Sequence, residues 1–241
     1  VNGQPVPADT GKTVEQGTTY VALAAMAQTL DPSVTITWDG GSSTAAVQSA
    51  VLDLTAKVGQ QYLVANGRYL YVPEGVRMEA GRVVVPLKEL VKAFDAKLSW
   101  DPADGTTSIT TGSGGIASGD SFYNQDDLFW LSRVVYAESG NQSLDGKIAV
   151  ANVVLNRVKS PIFPNTIEGV LAQKNQFTSY QSGKLAYRTP NENSVIAAKL
   201  VLDGGVVEET LGATHFDSCS NSWASRHKTC VAVIGGHRFY A

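Results

Sequence analysis

Two kinds of hydrophobic pattern follow one another along the chain. In the first half, apolar residues come in short runs with alternating polar positions, which is typical of β-strands. Two of these runs, at 20–23 and 84–87, lead into helical periodicity that ends near Leu30 and Phe94. From Asp126 onwards, apolar residues recur every three or four positions, as in amphipathic helices. The pattern predicts an α+β fold with a β-rich first part and a mainly α-helical second part.

The first part contains an internal repeat of a β-hairpin, a short helix and a second hairpin. Asn-Gly, a preferred two-residue hairpin turn, occurs at 2–3 and again at 66–67. The strand that carries Trp38 returns as the strand that carries Trp100, and each tryptophan is followed by an aspartate. The spacing of the copies differs slightly, so the repeat is diverged. A tryptophan repeated on a half-buried strand favours a core position over a sugar-stacking platform.

The second part is predicted to hold four helices and a loop-rich tail. Acidic residues at 126–127 fit the start of the first helix, because they complement its dipole. Pro161 and the glycines after Asp203 fit helix ends. The later helices are expected near 144–158, 167–172 and 193–202, with a short strand at 230–234.

Composition supports two domains joined by a short connection. The chain has 241 residues, which exceeds the usual domain size of about 100–150. The stretch 111–121 reads TGSGGIASGDS and carries a single large apolar residue, so it is the best candidate for a linker. We therefore expect a first domain at 1–111, a Gly/Ser linker at 112–121 and a second domain at 122–241.

Charge and hydropathy exclude several classes of protein. The formal net charge of −3 argues against a nucleic-acid binder that depends on phosphate neutralisation. No apolar run approaches the roughly 18 residues of a membrane span. The chain starts at Val1 with neither a Met nor a basic-then-apolar leader, so we expect a mature or trimmed product.

One acidic residue stands where the pattern calls for an apolar one. The core-facing stripe of the first predicted helix consists of Leu128, Leu131 and Val135. The next member of the stripe is Glu138. A carboxyl group there is poorly solvated, which raises its pKa and suits a general acid. Alternatively, Glu138 reaches solvent at the helix end, or pairs with Arg133 or Lys147.

Two asparagines lie on one face of the second predicted helix. Asn152 and Asn156 are four residues apart, and asparagine is a poor helix former. Such a pair is expected to hydrogen-bond something specific. The partner is either Glu138 or a sugar amide, or else the asparagines support a neighbouring loop.

Six segments of the second part together resemble a known family. They read YAESGN, GKIAVANVVLNRV, FPNTI, NQFT, ATHF and IGGHRFY, at 136–141, 146–158, 163–167, 175–178, 213–216 and 234–240. In this order they resemble the SleB-type cell wall hydrolases, the spore-cortex-lytic enzymes. The resemblance implies a lysozyme-like helical catalytic domain that cuts peptidoglycan glycan strands after N-acetylmuramic acid. It also implies that Glu138, in the Ala-Glu-Ser motif, is the essential acid.

The first part resembles a different family. Its Asn-Gly hairpin, its Val-Val-Pro-Leu strand with the following helix, and its Ser-Trp-Asp strand are similar to the copper amine oxidase N-terminal-like domain, a stalk module of exported Gram-positive proteins. The resemblance implies a location in the cell wall or spore envelope of a Gram-positive-type bacterium. A protein partner or self-association through this domain stays open.

The number of carboxylates separates the candidate reactions. A hydrolytic glycosidase needs two, and the candidates for a second are Asp127, Asp145 and Asp217. A lytic transglycosylase needs only one, because the muramic 6-hydroxyl attacks its own anomeric carbon. We therefore favour a lytic transglycosylase that forms 1,6-anhydro-muramic ends. The alternatives are a muramidase-type hydrolase and a non-catalytic wall-binding protein.

The rest of the cleft is expected to be aromatic and rich in amides, since sugars are bound by stacking and by neutral hydrogen bonds. The expected substrate-binding residues are Tyr136, Ser139, Asn152, Asn156, Gln176, Phe177, Thr178, Tyr187, His215 and Trp223.

Cysteine and histidine residues cluster near the C-terminus. Cys219 and Cys230 are the two cysteines of the chain, and such an isolated pair in an exported protein suits a disulfide. The competing interpretation is a zinc site, of which His227 and Cys230 form half. The sequence has no second close pair and no H-E-x-x-H motif, so we predict neither a metal nor another cofactor.

Overall fold

The structure is a computed structural model that describes residues 1–241, and it divides into two units, Val1–Phe122 and Tyr123–Ala241. The strands of the first unit are β1 (Thr13–Glu15), β2 (Thr18–Ala22), β3 (Thr35–Asp39), β4 (Thr44–Gln48), β5 (Asp53–Lys57), β6 (Tyr62–Ala65), β7 (Arg68–Tyr71), β8 (Arg77–Glu79), β9 (Arg82–Pro86), β10 (Lys97–Asp101) and β11 (Thr106–Thr110). Its helices are α1 (Leu23–Leu30), α2 (Leu87–Ala93) and α3 (Gly119–Phe122).

All strand pairs of the first unit are antiparallel. They form a four-stranded sheet in the order β1-β2-β9-β8, a five-stranded sheet from β3 to β7, and the hairpin β10-β11. The helix α1 follows β2 directly and buries Leu23, Met26, Ala27 and Leu30. This spacing of three and four residues places one apolar face against the core of the unit.

Two details of the first unit differ from the sequence prediction. The first Asn-Gly joins no strands, since residues 1–4 form a turn closed by a hydrogen bond from Gln4 N to Val1 O, whereas the second joins β6 to β7. Trp38 and Trp100 are 48% and 61% exposed, so the expectation of core positions is wrong. The physical reason is that β3 is an edge strand and β10 belongs to a two-stranded hairpin, so neither tryptophan is covered by a second layer.

The Gly/Ser-rich stretch at 112–121 packs on the first unit. Ile116 is 5% exposed and joins the core of that unit, and its N–H donates to Ala93 O. The side chain of Asn66 donates to Ile116 O, and Gly119 N donates to Asn66 O. A Cβ on Gly115 would lie 2.1 Å from Val51 O, so glycine is required for this close approach. The many glycines of this stretch thus allow its backbone to pack closely around one buried isoleucine, in addition to making the stretch polar.

The second unit is built mainly of helices. These are α4 (Gln125–Ser139), α5 (Leu144–Lys159), α6 (Ile167–Ala172), α7 (Thr178–Gln181), α8 (Glu192–Leu202) and α9 (Trp223–His227), with the strands β12 (His215–Asp217), β13 (Cys230–Ile234) and β14 (His237–Tyr240). With the β-rich first unit, this confirms the α+β fold class. No helix in the structure is both long enough and apolar enough to cross a membrane.

The helices α4, α5 and α8 pack on one another and form the frame of the second unit. Each begins at a side-chain cap: Asn124 accepts from two backbone N–H groups of α4, Ser143 from Gly146 N and Asn191 from Ser194 N. Leu131 and Val135 of α4 are fully buried, so the predicted stripe faces the core. The position of Glu138 is therefore fixed by a capped, well-packed helix.

The small sheet of the second unit keeps the two cysteines apart. Cys219 and Cys230 are free and exposed, which corrects the predicted disulfide. The strand order is β12-β14-β13; Cys230 lies opposite Tyr240, whereas β12, which precedes Cys219, ends opposite Arg238. A disulfide requires Cα atoms within about 7 Å, and strands on either side of a third are about 10 Å apart. No group of three or more His, Cys, Asp or Glu side chains is placed to hold a metal ion.

Candidate active site

Glu138 lies in the last turn of α4 and is partly buried. Its Oε1 accepts a hydrogen bond of 3.3 Å from Ser179 Oγ of α7. Burial raises the pKa of the Glu138 carboxyl, while the hydrogen bond from Ser179 and the positive charge of Arg188 act in the opposite direction. Because burial dominates, Glu138 holds its proton at higher pH than an ordinary glutamate, which suits a general acid.

Glu138 lines a cavity of about 270 Å³. Side chains from α4, α5, the 175–177 loop, β12 and the start of α9 form its wall. They are Glu138, Arg157, Asn175, Gln176, Phe177, His215, Phe216, Asp217, Ser222, Trp223 and Ala224. This wall combines carboxyl groups with aromatic faces and amide groups, a combination suited to binding sugars.

A second carboxylate, Asp217, lines the same cavity. It ends β12, and its two oxygens accept hydrogen bonds from Ser222 Oγ, from Cys219 N over 3.2 Å and from Tyr240 Oη over 3.3 Å. A carboxylate has about four acceptor positions, so three of them are occupied by the protein. Asp217 therefore holds the loop that leads to Trp223, in addition to facing the cavity.

His215 and Trp223 form an aromatic edge of the cavity. Their ring centroids lie 5.6 Å apart, and Trp223 is 55% exposed. Trp223 also stacks on His227, with centroids 4.9 Å apart and planes inclined by 16°. Burial lowers the pKa of His215, and the positive charges of Arg157 and Lys228 lower it further, so the ring is neutral at pH 7. An exposed indole in contact with two imidazole rings provides an aromatic surface for a sugar ring.

Residues 141–240 match the model of the cell wall hydrolase family. The second unit contains a cell wall hydrolase domain. Glu138 lies just before the matched range, in the last turn of α4, which ends at Ser139. Residues 1–111 match the model of the copper amine oxidase N-terminal domain. Both family resemblances of the sequence are thereby confirmed.

The hydrolase domain is similar to spore cortex-lytic enzymes of bacilli. Over 121 residues it is 39% identical to the enzyme of Bacillus cereus, an alignment that covers 48% of this chain and 45% of the relative. Over 118 residues it is 32% identical to the enzyme of Bacillus subtilis, covering 48% of this chain and 38% of the relative. The chain thus matches less than half the length of these curated relatives.

Two solved structures are also similar to part of the chain. The catalytic domain of the Bacillus cereus SleB protein is 33% identical, with a TM-score of 0.45 over 49% of this chain and 92% of that domain. The catalytic domain of the germination-specific lytic transglycosylase SleB from Bacillus anthracis is 32% identical, with a TM-score of 0.45 over 52% of this chain and all of that domain.

Five of the residues predicted for the site line one cavity of the hydrolase domain. They are Glu138, Gln176, Phe177, His215 and Trp223. Gln176 and Trp223 are exposed, whereas Phe177 is 3% exposed and forms part of the cavity floor. Three of the five lie within the Asn-Gln-Phe-Thr and Ala-Thr-His-Phe segments, so local motifs carried the prediction.

Three predicted substrate-binding residues instead hold the protein together. Ser139 is fully buried and donates to Val135 O over 2.7 Å. Asn152 donates to Gly205 O over 2.9 Å and accepts from Val207 N over 3.0 Å. Asn156 donates to Ala213 O over 2.9 Å. Both asparagines thus hydrogen-bond loop backbone, as the alternative of loop support expects, and neither lines the cavity.

Tyr136, Thr178 and Tyr187 do not line the cavity either. Tyr136 packs beside Gly140, where a Cβ would lie 3.0 Å from its Cδ2. Thr178 starts α7, and Tyr187 is 90% exposed in a short 3₁₀ turn. Their predicted role rested on residue type and motif membership, neither of which specifies the direction of a side chain.

Two important cavity residues were absent from the predicted set. Arg157 is 4% exposed and ends an apolar stripe of α5 that contains Val150 and Val153. This is the same signal that singled out Glu138 on α4, so it was available in the sequence. Asp217, named only as a candidate second carboxylate, reaches the cavity through the pairing of β12 with β14, which no local pattern predicts.

Proposed function

We propose that this chain cleaves the glycan strand of peptidoglycan, with Glu138 as its single acid and base. The observation that carries the proposal is a partly buried carboxyl group of raised pKa in an aromatic and amide-lined cavity of a cell wall hydrolase domain. The raised pKa leaves a larger protonated fraction of Glu138 at any given pH than an ordinary glutamate has, which favours proton donation.

The proposed reaction is a lytic transglycosylation. Glu138 donates its proton to the glycosidic oxygen as the bond from that oxygen to the muramic anomeric carbon breaks. The muramic 6-hydroxyl oxygen then bonds to the same carbon, and its proton passes to the Glu138 carboxylate. The products are a free hydroxyl on the leaving sugar and a 1,6-anhydro-muramic end, and the acid is regenerated. An intramolecular nucleophile reacts at high effective concentration, so no second carboxylate is needed.

We further propose that the substrate is spore cortex or cell wall peptidoglycan and that the chain acts outside the membrane of a Gram-positive-type bacterium. The similarity to spore cortex-lytic enzymes of bacilli supports this location. The net charge of −3 is compatible with a neutral, sugar-binding cleft rather than a polyanion-binding surface.

We propose an organisation of 1–111 as a stalk-like module, 112–121 as its connection and 122–241 as the catalytic domain. The module consists of two diverged copies of hairpin, helix and hairpin. The element orders β1-β2-α1-β3-β4 and β8-β9-α2-β10-β11 support the repeat, as does the pairing of β2 with β9. The module holds the enzyme on the wall, on a protein partner or on another copy of itself.

Replacement of the acid tests the proposed function. Glu138→Gln keeps the shape of the side chain and removes the transferable proton, so lysis of purified peptidoglycan should fall about 10³-fold or more. Glu208→Gln, an exposed position of the same unit, is the matched control and should keep its activity. A folded Glu138→Gln protein with a tenth of the wild-type activity rejects Glu138 as the acid. A wild-type protein that sediments with peptidoglycan but releases no fragments is a binder and not an enzyme.

Hydrolysis is the second candidate, because Asp217 lines the same cavity as Glu138. In that reaction a carboxylate activates water or attacks the sugar directly. The hydrogen bonds that Asp217 accepts from Ser222, Cys219 and Tyr240 favour a structural role for it. The variant Asp217→Asn distinguishes the two reactions. Hydrolysis that uses the Asp217 carboxylate would be abolished, whereas the proposed transglycosylation would continue in the fraction of the variant that is folded.

A further inference from the structure

Arg157 is a buried cation without a counter-ion. Its side chain is 4% exposed, and its Nε donates to Thr214 O over 2.6 Å. Its Nη1 is buried and has no hydrogen-bond acceptor. Phe163 and Phe177 flank the guanidinium, with ring centroids 5.2 and 5.4 Å from Cζ. A buried donor of a charged group normally has an acceptor. The lack of an acceptor for Nη1 within the protein therefore points to a ligand.

Arg157 lines the cavity that contains Glu138. Burial lowers the pKa of its guanidinium to about 10, so it still carries its charge at neutral pH. Neither acid of the cavity neutralises this charge. Glu138 must be protonated to act as an acid, and Asp217 directs its oxygens to Ser222, Cys219 and Tyr240.

A different arginine acts on the carboxyl of Glu138. The cation that acts on the pKa of Glu138 is Arg188, which is exposed. Arg157 also lines the cavity, so its guanidinium is placed to contact a charged group of the substrate. The guanidinium presents donors in a fork that matches the two oxygens of a carboxylate.

Only one of the two sugars of a peptidoglycan strand carries carboxyl groups. N-acetylglucosamine is neutral, whereas the muramyl unit bears a lactyl ether that ends in a free carboxylate or in a peptide with carboxylates of its own. A buried guanidinium in the cleft distinguishes the two sugars. It thereby sets the register in which the strand binds.

We propose that Arg157 is a specificity-determining residue that binds a carboxylate of the muramyl unit. The proposal rests on the glycan-cleaving function proposed above, because it takes its ligand from that substrate. Phe163 and Phe177 exclude water from the ion pair, which strengthens it. Thr214 O fixes the orientation of the guanidinium through Nε.

A binding measurement on the wild-type chain tests the proposal without requiring cleavage. The probes are N-acetylmuramic acid, its lactyl methylamide, and an N-acetylmuramoyl dipeptide that ends in a free carboxylate, each titrated by calorimetry. A hydrogen-bonded ion pair predicts that at least one carboxylate probe binds about 10-fold or more tightly than the methylamide. The tighter of the two acids identifies the source as the lactyl group or the peptide. Equal affinities of all three probes, or no binding of any, overturn the proposal.

Substitution then assigns the preference to Arg157. Arg157→Met should remove the difference between the acid and the methylamide, and Arg157→Lys should keep part of it. Arg226→Met, at an exposed arginine of the neighbouring α9, is the matched control and should keep the full difference. A folded Arg157→Met protein that still prefers the acid overturns the proposal; where that variant does not fold, Arg157→Lys and the wild-type titration decide it. Loss of cleavage with the carboxylate preference intact refutes the proposed function alone.

Discussion

Ser179 Oγ of α7 donates a hydrogen bond of 3.3 Å to Glu138 Oε1 of α4. The two residues are far apart in sequence, so this contact exists only because the domain brings α7 against the end of α4. Burial raises the pKa of Glu138, and Ser179 partly opposes that effect by stabilising the carboxylate. The protonation state of the acid therefore depends on both helices.

Removing that hydrogen bond should make the acid weaker. In Ser179→Ala the carboxylate loses a donor, so the pKa of Glu138 rises further and the alkaline limb of the activity profile moves to higher pH. The measurement is the rate of peptidoglycan lysis from acid to alkaline pH. Ser182→Ala is the control, because Ser182 Oγ donates to Ser179 O and not to Glu138. An alkaline limb of the activity profile that stays in place, or moves to lower pH, contradicts a hydrogen bond from Ser179 to Glu138.

The raised pKa of the Glu138 carboxyl also predicts how the stability of the fold depends on pH. Because its folded pKa is raised above the ordinary 4.5, its favourable contribution is complete below pH 4.5 and is lost as pH rises through the folded value. As pH rises above 4.5, the unfolded chain gains a well-solvated negative charge that the buried site of the folded chain accommodates poorly, so the fold is destabilised. Glu138→Gln has no such charge, so it should resist urea better than the wild type at pH 7 and lose that advantage at pH 4.

The control for this prediction is Glu192→Gln, at an exposed glutamate in the first turn of α8. Its carboxylate is solvated and complements the helix dipole, so its loss should leave stability at pH 7 unchanged or slightly lower. If Glu138→Gln is also less stable than the wild type at pH 7, the carboxylate is not penalised by burial and the basis for a raised pKa fails.

The outline of the fold and the position of Glu138 could be predicted because both are indicated by local sequence patterns. The change from alternating to helical periodicity separated the β-rich unit from the helical one, and the stripe on α4 led directly to Glu138. The same test applied to α5 leads to Arg157 at the end of its own stripe. Both side chains line the cavity. An ionisable residue that continues an apolar stripe is therefore the useful signal in this chain.

The remaining differences arise from contacts between segments distant in sequence. Asp217 enters the cavity because β12 pairs with β14, and Ile116 is buried because a Gly-rich stretch lies against the first unit. Asn152 was recognised as an unusual helix residue, but its partners at 205–207 could not be known before the fold. Residue type identified which side chains needed partners, and the tertiary structure decided which partners they found.

Asn152 should matter for stability and not for the chemistry. Asn152→Ala leaves the buried Gly205 O and Val207 N without their partner, which should cost about 2–4 kcal/mol in the free energy of unfolding. Asn193→Ala, at an exposed position of α8, is the matched control and should change it by less than about 0.5 kcal/mol. Urea unfolding measures both values. Loss of lysis by Asn152→Ala molecules that are fully folded would restore a substrate-binding role for this residue.

In the proposed reaction Glu138 acts alone, and the muramic 6-hydroxyl, not water, attacks the anomeric carbon. Digestion of purified peptidoglycan in ¹⁸O-water, followed by mass spectrometry of the released fragments, tests it most directly. Transglycosylation should yield new muramic ends that are one water lighter than reducing ends and carry no ¹⁸O, from the first time point onwards. Reducing muramic ends that carry one ¹⁸O would contradict it and assign the reaction to hydrolysis, with Asp217 as the second carboxylate.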